Sequence, residues 1–452
     1  MEQNIENVII VYNMNINKHL QLLAISKLSK TKILSWYNII KNNESFTKTD
    51  IEDYQLIELK KLLNHVNGNV PFYTNLFRKM NFSASDVSSI KDIEVLPPLT
   101  KSIISDNFNL LLPKSLNKIN YQKRSTGGTT GTPHKYYSDM NSWALHWALK
   151  LRAFEEAGYN LGEKMAIMAG ASLVPEQKAG LKRKVWNQLQ GFVPLSMTSF
   201  SQNDLKNYYD ILIRKRIKYL RGYPTAILQF AEFIKAHDLK INIKAVFTTA
   251  EVLQPEHKKI IVHTFECKIF DQYGCADGGG HAFECKEHNG LHWAFEASVL
   301  ESEKTENAQI GEEVLLTNLT NLAMPVIRYM PGDLIVRQRG QCSCGKQTAM
   351  LKEIIGRTTE IIKFTNGKAL SGPAFTLIFR KFNLEQYQLV QNTPDSIDIN
   401  IVPNNGFKSE DKSKIIDIMK FHCGEEIDVN INQMSAIAPA KSGKFRFIIS
   451  NL

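Results

Sequence analysis

Ser125-Thr126-Gly127-Gly128-Thr129-Thr130-Gly131-Thr132-Pro133 is the segment that most restricts what this chain can become. Three glycines let a backbone turn tightly and approach a bound group closely. Successive amides in such a turn form a concavity for anions. Hydroxyl donors line the run, and Arg124 and Lys135 flank it with positive charge. A Walker A loop would close on Gly-Lys-Ser/Thr and enter a helix. Here Thr132-Pro133 leads instead into the strand-like His134-Lys135-Tyr136-Tyr137. The reading is a phosphate-holding loop, with a polar linker as its competitor.

A chain of 452 residues is too long for one ordinary core, so more than one domain is expected. Hydrophobic content of 43% and charged content of 22% are those of a globular protein. Met1 to Asn17 lacks the layout of a signal peptide, and no apolar run is long enough to span a bilayer. Cytoplasmic location without membrane insertion is therefore expected. The net charge of +10 suits a polyanionic small ligand. Its basic residues are scattered rather than interleaved with aromatics, which argues against nucleic acid.

Helical spacing runs from Lys18 to Asn42 and from Ile51 to Val66, with a turn at Pro71-Phe72-Tyr73. Ser142 is the expected cap of a helix reaching Glu156, and Gly158 its stop. Trp143, Trp147 and Phe154 on that helix are expected in the core. Strands are then predicted at Lys164–Met168, Tyr219–Leu220, Ala245–Thr249 and Lys268–Gln272. Helices at Asp204–Arg214, Thr225–His237 and Pro255–Thr264 alternate with them, the signature of a doubly wound α/β domain. Beyond Ala294 the pattern turns strand-rich, with strands expected at Glu313–Thr317 and Pro325–Tyr329. A smaller α+β domain begins near Gly356, with strands at Ile397–Val402 and Val429–Ile431 and helices at Ala374–Phe382 and Lys412–His422.

Four segments accompany the glycine loop. Asp271-Gln272-Tyr273-Gly274-Cys275-Ala276-Asp277 ends a strand, where α/β sheets present ligands. Arg328-Tyr329-Met330-Pro331-Gly332-Asp333 places a carboxylate after a turn, suited to ribose hydroxyls. Gly356-Arg357-Thr358-Thr359-Glu360 lies at the domain boundary, and Ser442-Gly443-Lys444 offers a lysine near the carboxy terminus. A further cluster, Cys342-Ser343-Cys344-Gly345 with Cys285 and a histidine, supplies three thiolates and one imidazole for a closed structural Zn²⁺ site. His288 and His292 compete for the fourth position, and His292 is preferred because it opens an apolar segment. Cys275 reads as a small wall residue. His281 is read either as touching the acyl pocket or as part of a surface turn.

In this order the segments resemble the adenylate-forming enzyme superfamily, and within it the phenylacetate–coenzyme A ligases and related capsular polysaccharide biosynthesis proteins. Pro71-Phe72-Tyr73, Leu99-Thr100-Lys101, Gly222-Tyr223-Pro224 and Thr248-Thr249-Ala250-Glu251 extend the resemblance over most of the chain. It implies a large α/β domain over 1–355 and a small mobile α+β domain over 356–452. It also implies ATP- and Mg²⁺-dependent activation of a carboxylic acid, aromatic by default, followed by transfer to coenzyme A or another thiol. Transfer to an amine or hydroxyl and a non-catalytic nucleotide-binding module stay open as alternatives, as does a homodimer.

By the same resemblance Ser125, Thr126, Gly127, Gly128, Thr129 and Thr130 hold phosphates. Thr249, Glu251, Asp271, Gln272 and Tyr273 line the adenine pocket, and Asp333 binds ribose. Arg357 sits near it at the hinge, and Lys444 bridges the carboxylate and the α-phosphate. Two positions depart from the pattern: Asp277 stands where glutamate usually places Mg²⁺, and Thr359 where the hinge commonly has aspartate.

Overall fold

The structure, a computed structural model, describes residues 16–125, 135–169, 174, 181–197, 202–304, 311–357, 361–364, 369–371, 375, 378–379, 381–438, 440 and 445–452. Its centre is a thirteen-stranded mixed sheet. One half is parallel, in the spatial order Phe192–Ser196, Met165–Ala169, Tyr219–Gly222, Ala245–Thr249, Lys268–Cys275. Met165–Ala169, Tyr219–Gly222 and Ala245–Thr249 are short and buried throughout, as inner strands covered on both faces are. Helices Leu181–Gln190, Gln202–Lys215, Pro224–Ala236 and Pro255–Phe265 lie between them in sequence, and Met140–Glu155 precedes the first.

At Lys268–Cys275 the sheet changes character, because its next neighbour Gly280–Glu284 runs antiparallel. Leu291–Trp293, Met350–Arg357, Asp333–Arg337 and Glu312–Asn318 continue that half. Buried side chains form one apolar cluster around the parallel half and a second around the antiparallel half. From Ile361 onward the described strands belong to other sheets. Leu384–Thr393, Ser396–Pro403, Asp428–Gln433 and Ile448–Ser450 form a four-stranded sheet that shares its own core with helix Ser409–Cys423.

Local chemistry accounts for several departures from the sequence reading. Lys18–Asn42 is two helices, Ile16–Ser29 and Ile33–Asn42, broken where Lys30 takes φ +54°. Pro71 opens helix Pro71–Met80 at its first turn, where proline's missing N–H has no cost, so Pro71–Tyr73 is not an isolated turn. Asp139, not Ser142, caps Met140–Glu155 by accepting from the Asn141 amide at 2.7 Å. Ser142 faces inward and accepts from Thr320 Oγ1 at 2.9 Å. Of Pro325–Tyr329 only Tyr329 enters a strand, Tyr329–Met330. Strand Phe192–Ser196 and helix Leu181–Gln190 were not anticipated. Trp143 and Trp147 pack against the core only partly buried and, with the buried Phe154, also line a cavity.

The N-terminal helices are tied to the sheet by buried charge. Arg328 donates from Nη1 to the carbonyls of Glu94 and Leu96, from Nε to Glu301 at 2.9 Å, and from Nη2 to Glu303 at 2.6 Å. Its own carbonyl accepts from Leu99 N, which pairs the short strand Leu99–Thr100 with Tyr329–Met330. A planar fork with five donors suits such a hub, and an ammonium does not.

Arg328→Met strands the Glu301 carboxylate, whose pKa burial already raises. Losing one partner of a buried pair costs about 3–5 kcal/mol. Thermal unfolding should therefore show a large loss for Arg328→Met and partial recovery in Arg328→Met/Glu301→Gln.

Candidate active site and metal centre

The glycine loop is anchored at both ends. Strands Tyr121–Ser125 and Lys135–Asp139 pair antiparallel, with Ser125 opposite Lys135, so the loop joins two neighbouring strand ends. Thr126, Gly127, Gly128, Thr129 and Thr130 lie outside the described residues, as do Thr359 and Lys444.

The other candidate residues gather where the parallel half meets the antiparallel half. Open α/β sheets present ligands at the carboxyl ends of their strands. Thr249 ends its strand opposite Gln272. Ala250 follows in the left-handed region at φ +71°, which turns the chain sharply into Glu251. Glu251 does not simply face a pocket. Its Oε2 accepts from the amide and hydroxyl of Thr225 at 3.2 and 2.7 Å, and its Oε1 accepts from Phe445 N at 3.1 Å. It therefore links the parallel half to the carboxy-terminal segment. Gly222, which closes the neighbouring strand, cannot be replaced without movement: a Cβ there would sit 1.9 Å from Met168 O.

Two buried aspartates are each held by a tyrosine. Tyr273 donates to Asp333 Oδ2 at 2.6 Å, and Tyr329 donates to Asp277 Oδ2 at 2.8 Å. Cys275 adds a weaker S–H contact to Asp277 Oδ1 at 3.2 Å. Asp333 also faces Arg357, its cross-strand partner, with Nε 3.4 Å from Oδ1. Burial, the Asp333 charge and the other acids push the Tyr273 hydroxyl well above its ordinary pKa, so it remains a donor. Gly356, directly before Arg357, takes φ +128°, a conformation that favours glycine.

Asp271 points elsewhere. Its carboxylate accepts from Thr248 Oγ1 at 2.6 Å while its amide donates to Glu284 at 2.8 Å. Burial raises its pKa to about 6, with the Glu284 charge contributing. Gln272 Nε2 is buried and finds no hydrogen-bond partner. His281 is buried against His146 with ring centroids 4.4 Å apart, which removes the surface-turn reading. Lys150, Arg221 and the aromatic cavity beside them escaped sequence reading. Arg221 is one residue from Gly222-Tyr223-Pro224, but nothing in the sequence marks its burial.

Cys285, His292, Cys342 and Cys344 bring four donor atoms within 4.8 Å of one another. Cys285 Sγ lies 3.7 Å from Cys342 Sγ, and Cys344 Sγ lies 3.3 Å from His292 Nε2. With Zn–S near 2.3 Å, tetrahedral ligand sulfurs stand about 3.8 Å apart, so the spacing fits zinc. His292 Nδ1 meets Thr348 Oγ1 at 2.9 Å, an outer contact that orients the ring. Burial lowers the His292 pKa to about 4, leaving the neutral imidazole a ligand requires. Burial pushes the Cys285 thiol up, so a thiolate there calls for a bound cation. His288 turns away toward Glu284, its ring tilted against that of Phe270 with centroids 4.5 Å apart.

Residues 363–451 match the CapK C-terminal domain family. Protein CapK of Staphylococcus aureus is 25% identical over 415 residues, covering 89% of this chain and 90% of that protein. A phenylacetate–coenzyme A ligase of Pseudomonas putida is 25% identical over 300 residues, covering 63% and 66%. Among solved structures, 2-hydroxyisobutyryl-CoA ligase in its postadenylation state superposes with a TM-score of 0.72 at 15% identity. That match covers 91% of this chain and 92% of the other, so the two share one fold. No described helix is long and apolar enough to cross a membrane. The chain is thus similar along most of its length to Protein CapK and over a shorter stretch to a phenylacetate–coenzyme A ligase, and it shares its fold with an adenylate-forming CoA ligase.

Proposed function

We propose that this chain activates a carboxylic acid with ATP and passes the acyl group to a thiol, coenzyme A in the first instance. A carboxylate is a poor electrophile, and the reaction corrects this by attaching AMP as a leaving group. The carboxylate oxygen attacks the α-phosphorus, and the bond to the β-phosphate breaks with its electron pair leaving on pyrophosphate. The thiolate then attacks the acyl carbon, AMP departs, and the thiol proton passes to solvent. Two anions must meet in the first step, so positioning and charge compensation carry most of it.

The observation that most supports this reading is Asp333 clasped between Tyr273 and Arg357 at the strand ends, with both carboxylate oxygens oriented. We assign it the ribose hydroxyls. Ser125 and the following loop would receive the β- and γ-phosphates, and Thr249, Gln272 and Tyr273 the adenine. Mg²⁺ would neutralise phosphate charge when bound. Asp277 fits as its acidic ligand, because each oxygen accepts only one contact from the protein and keeps a second lone pair. Residues 1–355 would form the nucleotide and acid site, and 356–452 a mobile unit turning near Gly356 and bringing Lys444 into it.

Asp333→Ala should weaken ATP binding by removing charge-assisted hydrogen bonds worth about 1.5–3 kcal/mol each. Carboxylate-dependent exchange of labelled pyrophosphate into ATP, with melting curves as a folding control, measures this. Unchanged nucleotide affinity would sink the ribose assignment.

Lys444 is assigned to the first half-reaction alone, since only there does a cation lie between carboxylate and α-phosphate. Lys444→Ala should slow adenylation by about 10²–10³ while a supplied acyl-adenylate is still converted to thioester. Equal loss of both half-reactions would point to another site or to misfolding.

We also infer a structural zinc ion on Cys285, His292, Cys342 and Cys344. Elemental analysis of chelator-free protein should find close to one zinc per chain. Cys342→Ser and Cys344→Ser should each lose it and melt at lower temperature. Metal-free wild-type protein with an unchanged melting curve would refute the site.

A further inference from the structure

A second concentration of charge lies on the face of the sheet that carries Thr249 and Gln272. Strand register sets Ile167, Arg221 and Phe247 side by side, so their side chains share one face, and Thr249 follows two residues on from Phe247. Helix Met140–Glu155 covers that face: Phe154 approaches Phe247 at 4.7 Å between ring centroids, and His146 approaches His281. Beyond that contact a cavity of about 480 Å³ opens. It is lined by Trp143, Trp147, Phe154, Trp186, Lys150 and Arg221 among others. Cavities of this size hold small organic ligands.

The cations are what make this cavity unusual. Arg221 is only 9% exposed, and its guanidinium sits 5.7 Å above the Phe154 ring. Its Nε has no hydrogen-bond partner, and among the described residues no carboxylate pairs with Arg221 or Lys150. Burial, with the charges of Arg221 and Arg124 beside it, lowers the Lys150 pKa to about 7. Charges drawn out of water are tolerated when they are paired. Two cations in one aromatic-walled space, with Arg124 adding to their repulsion, lack only an anion from outside.

We propose that this cavity receives the body of the acid substrate and that the acid carries a second anionic group, carboxylate or phosphate, seated between Arg221 and Lys150. The inference rests on the ligase reading, since an acid whose reacting carboxylate lies beside the nucleotide residues would extend along this face. Tryptophan walls suit a flat ring between its two charged ends. Arginine supplies the directional contact to the far anion and lysine a movable one.

Three of the five tryptophans line the cavity, so intrinsic fluorescence reports its occupancy. The full chain, without ATP, is titrated with phenylacetate, 4-carboxyphenylacetate and 4-(phosphonooxy)phenylacetate. At least one doubly charged acid should bind about tenfold more tightly than phenylacetate, the ratio expected of one charge-assisted contact. Whichever does so identifies the far group. In Arg221→Gln and in Lys150→Gln that ratio should fall toward one, with circular dichroism verifying the fold. Equal affinity for all three acids in the wild-type protein would overturn the proposal without recourse to any variant. So would a preference that survives both substitutions. Because the titration needs no ATP, preference for a doubly charged acid in a chain inert in pyrophosphate exchange would sink the ligase reading and leave the cavity assignment standing. Exchange supported only by singly charged acids would do the reverse.

Discussion

Arg328 is the interaction on which the arrangement depends. Its guanidinium gathers two backbone carbonyls from the segment before Leu99 and two carboxylates from strand Ser298–Glu303. That cluster seats Tyr329, whose hydroxyl reaches Asp277, and starts the turn that delivers Asp333 to Tyr273. Lys101 reinforces the same turn by donating to Pro331 O at 2.6 Å. One buried cation thus positions two acids that are far apart in sequence. Such a hub is costly to desolvate and is stabilising only while every donor is satisfied.

The sheet divides its electrostatics by face and by end. Acids collect where the strand direction reverses, each held by a hydrogen-bond donor, and cations collect under helix Met140–Glu155, with no acid among the described residues beside them. Phosphoryl chemistry needs fixed donors and metal-binding acids at one end of a substrate. The opposite sign stands a short way along the same face. The Cys₃His cluster stands apart, around the turn at Cys285 and the loop at Cys342, near the Lys346–Glu156 ion pair.

Much of this was legible from residue order. Short apolar runs separated by amphipathic ones are sufficient to specify parallel strands with crossover helices, and Ala245–Thr249 agrees with its expected bounds. Capping was less legible: Asp139 and Ser142 are both good caps by type, and only the path of strand Lys135–Asp139 decides between them. The break at Lys30 and the helical start at Pro71 depend on single backbone conformations that periodicity does not register.

The sequence by itself determined the alternating architecture, the family resemblance and the types of group available: a glycine-rich loop, aspartates after strands, and paired cysteines with a nearby histidine. Those follow from local propensity, periodicity and motif spacing, each contained in a short window. Tertiary structure decided which groups meet. Tyr273 and Asp333 are sixty residues apart and become partners only through strand pairing. His292 joins the cysteines and His288 does not, because Leu291–Trp293 runs antiparallel to Met350–Arg357 and turns that ring toward Thr348. Lys150 and Arg221 look like ordinary surface cations in sequence, and only the packing of a helix on a sheet face buries Arg221, half-buries Lys150 and leaves both facing one cavity.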